Sequence, residues 1–360
     1  MKSKLWKVCS IVLAFSLLLL VAACGNSDNQ GSSGSGTDSG NNGGQQASSE
    51  FEPYTLKFGH HLAEDHILHK QVQKFAEILA EKTGGQVKVD IYPAGQLGQQ
   101  KDLLEGLQLG TVDMTLVDTG VFANFYEPLA ILDAPYLFDS VDQSVKALAG
   151  ELGTKLKDGV YEKTGIRVLS FEPAAYRITV LVEDAVKDPN SFTLQDFKGL
   201  KIRTLDSPSV IKTFERFGAQ PVSIPSGEVY TALQTHVVQG VESNPEFLRS
   251  IKIYEVSKYL VDTKHVLVHQ AIGISDKTWN KLPENTRNAI QEAMDEATDW
   301  HNSVSKDADL NARDALKQAG MVFIEPDLQP FKEAAFPYTE QFVQEKGLQD
   351  LYELIKKAGE

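Results

Sequence analysis

The sequence predicts an α/β protein of two lobes, with mixed or parallel sheets, a ligand cleft between the lobes and one long helix bracing both. Three observations lead there. Short apolar strands alternate with helix-period segments along the chain. About 310 residues remain once an N-terminal leader and linker are set aside, more than one core usually supports. A helical stretch near the C-terminus, from about Glu284 to Lys317 and ended by Gly320, is too long for a single lobe.

The leader comes first. Lys2, Lys4 and Lys7 form a basic start, and Ile11 to Val21 is an apolar run broken only by Ser16. That run is shorter than the ~20 apolar residues a membrane span needs, but it suits the core of a signal peptide. It ends in Val21-Ala22-Ala23-Cys24-Gly25, where small residues before a cysteine resemble a lipobox: residues 1–23 would be removed and Cys24 lipidated. Residues 24–50 are nearly all Gly, Ser, Asn, Gln and Asp after the cysteine. Such a segment buries too little apolar surface to offset its chain entropy and is expected to act as a flexible tether. The protein is therefore expected outside the cytoplasm, lipid-anchored to the cell membrane.

The strand and helix signals then run in order. Leu56–Gly59 reads as a strand, and Leu68, Val72, Phe75, Ala76 and Leu79 repeat at helical spacing until Gly84-Gly85. Val87–Ile91 alternates as a strand, a turn covers Pro93 to Gly98, a helix closes at Gly110, and Met114–Val117 is the next strand. This βαβαβ order implies a parallel sheet. A second run has strands at Ile166–Ser170, Ile178–Val182 and Leu200–Arg203. Ser207 is an N-cap with Pro208 at the first helical position, and Gly218 stops that helix. Another helix follows Gly227, Val266–Ile274 is strand-like, and Ser275 caps a short helix before Pro283.

Composition narrows the function. The two cysteines are Cys9 in the leader and Cys24 at the anchor, so the folded part has no disulfide, cysteine nucleophile or thiolate metal site. The net charge is −14, becoming −17 when Lys2, Lys4 and Lys7 leave with residues 1–23. That surface disfavours nucleic acid and anionic lipid as partners. No Ser-His-Asp arrangement, Gly-rich phosphate loop or His-Glu-x-x-His is present, so no catalytic residue, cofactor or metal is assigned and the chain is read as a non-enzyme.

Ligands of open α/β sheets sit beyond the carboxyl ends of the strands. The residues there are His60 and His61, Asp118, Arg203 and Asp206, and Asn244 within Gly240-Val241-Glu242-Ser243-Asn244-Pro245; Arg177 opens a strand of the second lobe. Arg203 stands out. It ends a strand four residues before an N-cap, so its guanidinium and the helix N–H groups are expected to converge on one anion. A planar guanidinium also fits a carboxylate bidentately, which an ammonium cannot.

Several segments together resemble one family. Leu56-Lys57-Phe58-Gly59, Tyr92-Pro93-Ala94-Gly95-Gln96-Leu97-Gly98, Ala134-Pro135-Tyr136-Leu137-Phe138, Lys198-Gly199-Leu200-Lys201-Ile202-Arg203, Glu228-Val229-Tyr230-Thr231-Ala232-Leu233-Gln234 and Tyr254-Glu255-Val256-Ser257-Lys258-Tyr259 look, in that order, like the TRAP-transporter solute receptors of the DctP type. The resemblance implies a periplasmic-binding-protein-like fold, with lobe I over residues 54–174 plus about 270–305 and lobe II over 175–269 plus about 306–360. It also implies capture of an organic acid for delivery to the subunits of a TRAP membrane permease. By that resemblance Arg203 grips the ligand carboxylate, Arg177 and Asn244 complete the grip, and His61, Asp118 and Asp206 meet the rest of the ligand.

The chain departs from the family pattern in places. Arg177 lies 26 residues before Arg203, across a longer loop than expected; Gln239-Gly240 replaces the usual Asp-Gly, and one extra residue there leaves Ser243 as an alternative to Asn244. Sialic-acid receptors carry Phe where this chain has Ser226-Gly227, which argues against that ligand. His61 and Asp118 favour a uronate or aldonate over a plain C4-dicarboxylate. Two other readings stand beside transport: a ligand-sensing receptor for a membrane kinase, and a lipid-anchored zinc receptor using His60, His61, His66 and His69.

Overall fold

The computed structural model describes residues 50–360; the leader, Cys24 and most of the tether lie outside the described residues. Among the described residues, eleven strands form two mixed sheets. They are β1 (Tyr54–His60), β2 (Val87–Tyr92), β3 (Met114–Asp118), β4 (Ile166–Tyr176), β5 (Ile178–Leu181), β6 (Lys201–Thr204), β7 (Gln220–Ser223), β8 (Gly240–Ser243), β9 (Tyr259–Val261), β10 (Leu267–Ser275) and β11 (Val322–Ile324). The first sheet has the order β2-β1-β3-β10-β4 and the second β11-β9-β5-β8-β6-β7.

The βαβαβ expectation holds for β1, β2 and β3, which pair in parallel. It fails at β10, which lies antiparallel between β3 and β4. The reason is the path of the chain: it leaves the first sheet at the end of β4, builds most of the second, and re-enters from the opposite direction. β5 is likewise antiparallel to β8 and β9, whereas β6 is parallel to β7 and β8. The two crossings run side by side, and the Arg177 N–H donates to the Val266 carbonyl at 2.7 Å between them.

The helix expected from about Glu284 spans Glu284–Gln318, 35 residues and about 52 Å long. Near its start, Glu292 and Glu296 hold Lys82 beside the first sheet. Near its end, Arg313 pairs with Asp262 after β9 of the second. Midway, the buried Glu172 of β4 accepts from Thr298 at 2.9 Å and lies 3.4 Å from His301. The C-terminal helix Gln349–Gly359 returns to the first sheet's side, where Gln143 donates to the Ile355 carbonyl at 3.1 Å. No described helix is long and apolar enough to cross a membrane.

Candidate functional site

The carboxyl ends of β1, β3, β6 and β8, together with the β4–β5 crossing, open onto one cleft between the two sheets. It is lined by His61, Leu62, Asp118 and Gln270 from the first lobe, and by Arg177, Arg203, Leu205, Ser226, Ser243, Asn244 and Phe247 from the second. The space between them is about 260 Å³, counting the part open to solvent. Five of the six expected ligand residues line it: Arg203, Arg177, Asn244, Asp118 and His61.

Glu242, in the middle of β8 and 0% exposed, organises the charges. Arg177 donates to it through Nε to Oε2 and through Nη2 to Oε1 at 3.0 Å. The Leu205 N–H donates to Oε1 at 2.9 Å, and His265 Nε2 lies 3.5 Å from Oε2. Burial pushes the Glu242 carboxyl up, but the Arg177 charge, the neighbouring His265 and the Arg177 hydrogen bonds outweigh it and hold its pKa at about 2. Burial pulls the Arg177 guanidinium down, and Glu242 more than reverses that, leaving it raised.

Arg203 is bound quite differently. Its Nε donates to the Ile224 carbonyl at 2.8 Å, which fixes the plane of the guanidinium. Its Nη1 is 3.5 Å from the Glu242 carbonyl and 4.0 Å from Glu242 Oε1, an oxygen already taken by Arg177 and Leu205. Nη2 has no protein partner among the described residues. Burial depresses its pKa to about 10, the Glu242 charge only partly restoring it while the Arg177 charge lowers it further. Arg203 thus remains a cation at neutral pH, 2% exposed, with one edge of the fork turned to the cleft.

The opposite wall is polar and neutral or acidic. Asp118 accepts from Gln100 Nε2 at 2.8 Å and from Gln270 Nε2 at 3.5 Å, and lies 3.7 Å from His61 Nε2 and 3.9 Å from Arg177. Burial lowers the His61 pKa to about 4 despite Asp118, so its ring is uncharged at neutral pH and can donate or accept. Asn244 caps the helix Pro245–Ser250, its Oδ1 accepting from Phe247 N at 2.8 Å, which leaves its amide NH₂ as donor. Ser243 lines the cleft beside it.

Two expectations change. Asp206 does not line the cleft beside Arg177 and Asn244: it is half-exposed at an adjoining crevice that Arg203 also lines, where Lys101 pairs with it at 3.1 Å. The helix Pro208–Arg216 does not aim its N-terminus at the Arg203 site. Ser207 caps it as expected, accepting from Val210 N at 3.4 Å, but the same hydroxyl donates to buried Asp133 at 2.8 Å, so that end faces Asp133. The histidine cluster is dispersed among protein partners. His60 Nε2 and His69 Nδ1 share a hydrogen bond of 3.0 Å, and His66 caps the helix Ile67–Lys82. Among the described residues no group of three or more His, Cys, Asp or Glu side chains has a metal-holding arrangement. The residue that sequence reading passed over is Glu242, which in sequence is only the polar neighbour of the apolar β8 residue Val241.

Known proteins share this architecture. The C4-dicarboxylate-binding periplasmic protein of Rhodobacter capsulatus is 33% identical over 270 residues, covering 75% of this chain and 79% of that protein. The 2,3-diketo-L-gulonate-binding periplasmic protein of Escherichia coli is 30% identical over 289 residues, covering 80% and 86%. The crystal structure of a TRAP periplasmic solute-binding protein from a Sulfitobacter species with bound β-D-galacturonate matches with a TM-score of 0.78 at 26% identity, covering 84% of this chain and all of that one. Residues 58–346 match the family model for bacterial extracellular solute-binding proteins, family 7, and the chain belongs to that family, the DctP-type receptors of TRAP transport.

Proposed function

We propose that this protein is the extracytoplasmic receptor of a TRAP-type secondary transporter, that it closes its lobes on a hydroxylated organic acid, and that it hands the acid to the membrane permease. The observation that carries the reading is the state of Arg203: a buried guanidinium, fixed through Nε, whose outer edge faces the cleft while the nearest carboxylate is committed to Arg177. A ligand carboxylate answers that geometry with charge-assisted hydrogen bonds. The Asn244 amide is placed to assist.

Neutral His61 and the Asp118 carboxylate offer the far end of a ligand one donor or acceptor and one acceptor, a match to hydroxyls rather than to a second carboxylate. Related proteins are described as binding 2,3-diketo-L-gulonate and β-D-galacturonate, which fits a sugar acid of the uronate or aldonate kind. The C4-dicarboxylate receptor of Rhodobacter capsulatus marks the alternative within the same chemistry. Closure follows from differential affinity: Arg203 and His61 stand on different lobes, so a ligand touching both favours the closed form over the open one.

The test is calorimetry over D-galacturonate, D-galactonate, D-erythronate and succinate. Arg203→Ala should weaken the best of these by about 2–5 kcal/mol, roughly 30- to several-thousand-fold in Kd. Wild-type-like binding by that variant overturns the assignment. The anchor is part of the proposal: a lipid on Cys24 would keep the receptor at the membrane surface where its permease lies.

A further inference from the structure

The two lobes also meet outside the ligand pocket. The helix Pro245–Ser250, capped by the cleft residue Asn244, presents Glu246 and Arg249 to the start of Ile67–Lys82 in the other lobe. Glu246 Oε1 accepts from the Ile67 N–H at 2.6 Å, and its Oε2 lies 3.8 Å from His66 Nε2. One turn on, Arg249 Nη1 donates to Asp65 at 2.8 Å. The receiving helix is 16 residues long and has no acidic residue in its own first turn. The positive end of its dipole therefore gets its carboxylate from the opposite lobe.

We infer that Glu246 and Arg249 are positioning residues for ligand capture: a clasp that forms when the lobes close and slows release of the bound acid without touching it. The inference rests on the closure reading above. The geometry supports it because one short helix carries both ends of the coupling. Asn244 at its cap faces the ligand pocket, and Glu246 and Arg249 within it grip the far lobe, so swinging the lobes apart breaks both bonds to residues 65–67. Glu246 is the larger contributor, since its partner is a main-chain donor at a helix start and its side chain is 13% exposed. Arg249 and Asp65 are more solvated and contribute less.

Stopped-flow release of the panel acid that the wild-type protein binds tightest tests this, together with melting temperatures with and without that acid. Glu246→Ala should speed release roughly 10-fold or more, the range for a hydrogen bond to a charged group, and leave association within about 2-fold. Glu246→Gln, which keeps the acceptor, should fall between, and Arg249→Ala should change release by about 2- to 5-fold. The ligand-free melting temperature should stay put while the ligand-induced rise shrinks. Unchanged release by Glu246→Ala overturns the clasp, and so does an equal fall of both melting temperatures, which would make Glu246 a permanent helix cap. If Arg203→Ala abolishes binding while Glu246→Ala behaves as wild type, the clasp alone fails; if the wild-type protein binds no acid of the panel, the capture reading fails with it.

Discussion

Glu242→Gln preserves the shape at the centre of β8 and removes one charge, which makes its cost calculable. The folded carboxyl titrates at about 2 against an ordinary value of 4.5. That gap, at 1.36 kcal/mol per unit, corresponds to about 3 kcal/mol of stability at pH 7. Losing one member of a buried ion pair typically costs about 3–5 kcal/mol, so the two routes agree. The sign follows from the direction of the shift. A depressed folded pKa gives stability that is complete above the unfolded value and is lost as pH falls toward about 2. Urea unfolding of the wild-type and Glu242→Gln proteins should therefore differ by about 3 kcal/mol at pH 7 and by only about 1 kcal/mol at pH 3. Equal midpoints at pH 7, or a difference that does not shrink on acidification, would show that Arg177 does not depend on this carboxylate.

Three further outcomes are expected. Burial raises the Asp133 carboxyl to about 7 in spite of bonds from Ser207 and Thr119, so the folded state holds a proton that the unfolded chain has lost, and its contribution to stability declines as pH rises from about 4 to 7. Asp133→Asn should flatten that decline and melt higher than wild type at pH 8, and a lower melting temperature there would contradict the assignment. Arg203→Lys should recover only part of the affinity lost in Arg203→Ala, because an ammonium cannot take the guanidinium's place both at the Ile224 carbonyl and on a carboxylate fork; calorimetry showing full recovery would mean that charge alone suffices. Cys24→Ser should leave affinity intact but release the protein into the medium, and cell fractionation that still finds it on the membrane would refute the lipid anchor.

The architecture was legible wherever local pattern decides structure. The alternation of Val87–Ile91, the helical spacing from Leu68 to Leu79 and the Ser207-Pro208 cap all correspond to elements of the structure. Three short strands, β7, β9 and β11, were not: no pattern in them marks a strand, and their pairing is settled by distant chain. The direction of β10 depends on the route through the other lobe, which no window of sequence contains. At the site, residue type and strand-end position singled out Arg203, Arg177, Asp118, His61 and Asn244. They could not supply partners. That Arg177 is held by Glu242 while Arg203 keeps an open edge follows from where β8 lies between β5 and β6, a long-range fact. Glu242 itself reads in sequence like the solvent-facing member of an alternating strand, although it is wholly buried. The place of Asp206 was hidden for a related reason: nothing local says that Lys101 crosses the cleft to meet it in the crevice it shares with Arg203.

Removing the carboxylate from the ligand, rather than the arginine from the protein, probes the site without risk to the fold. The measurement is calorimetric titration of the wild-type protein with D-galacturonate and with its methyl ester. With Arg203 waiting for an anion, the ester should bind at least about 30-fold more weakly than the acid, the lower end of the cost of leaving a buried charge unpaired. Equal affinity for acid and ester would contradict the claim that a buried guanidinium in the cleft selects its ligand by charge.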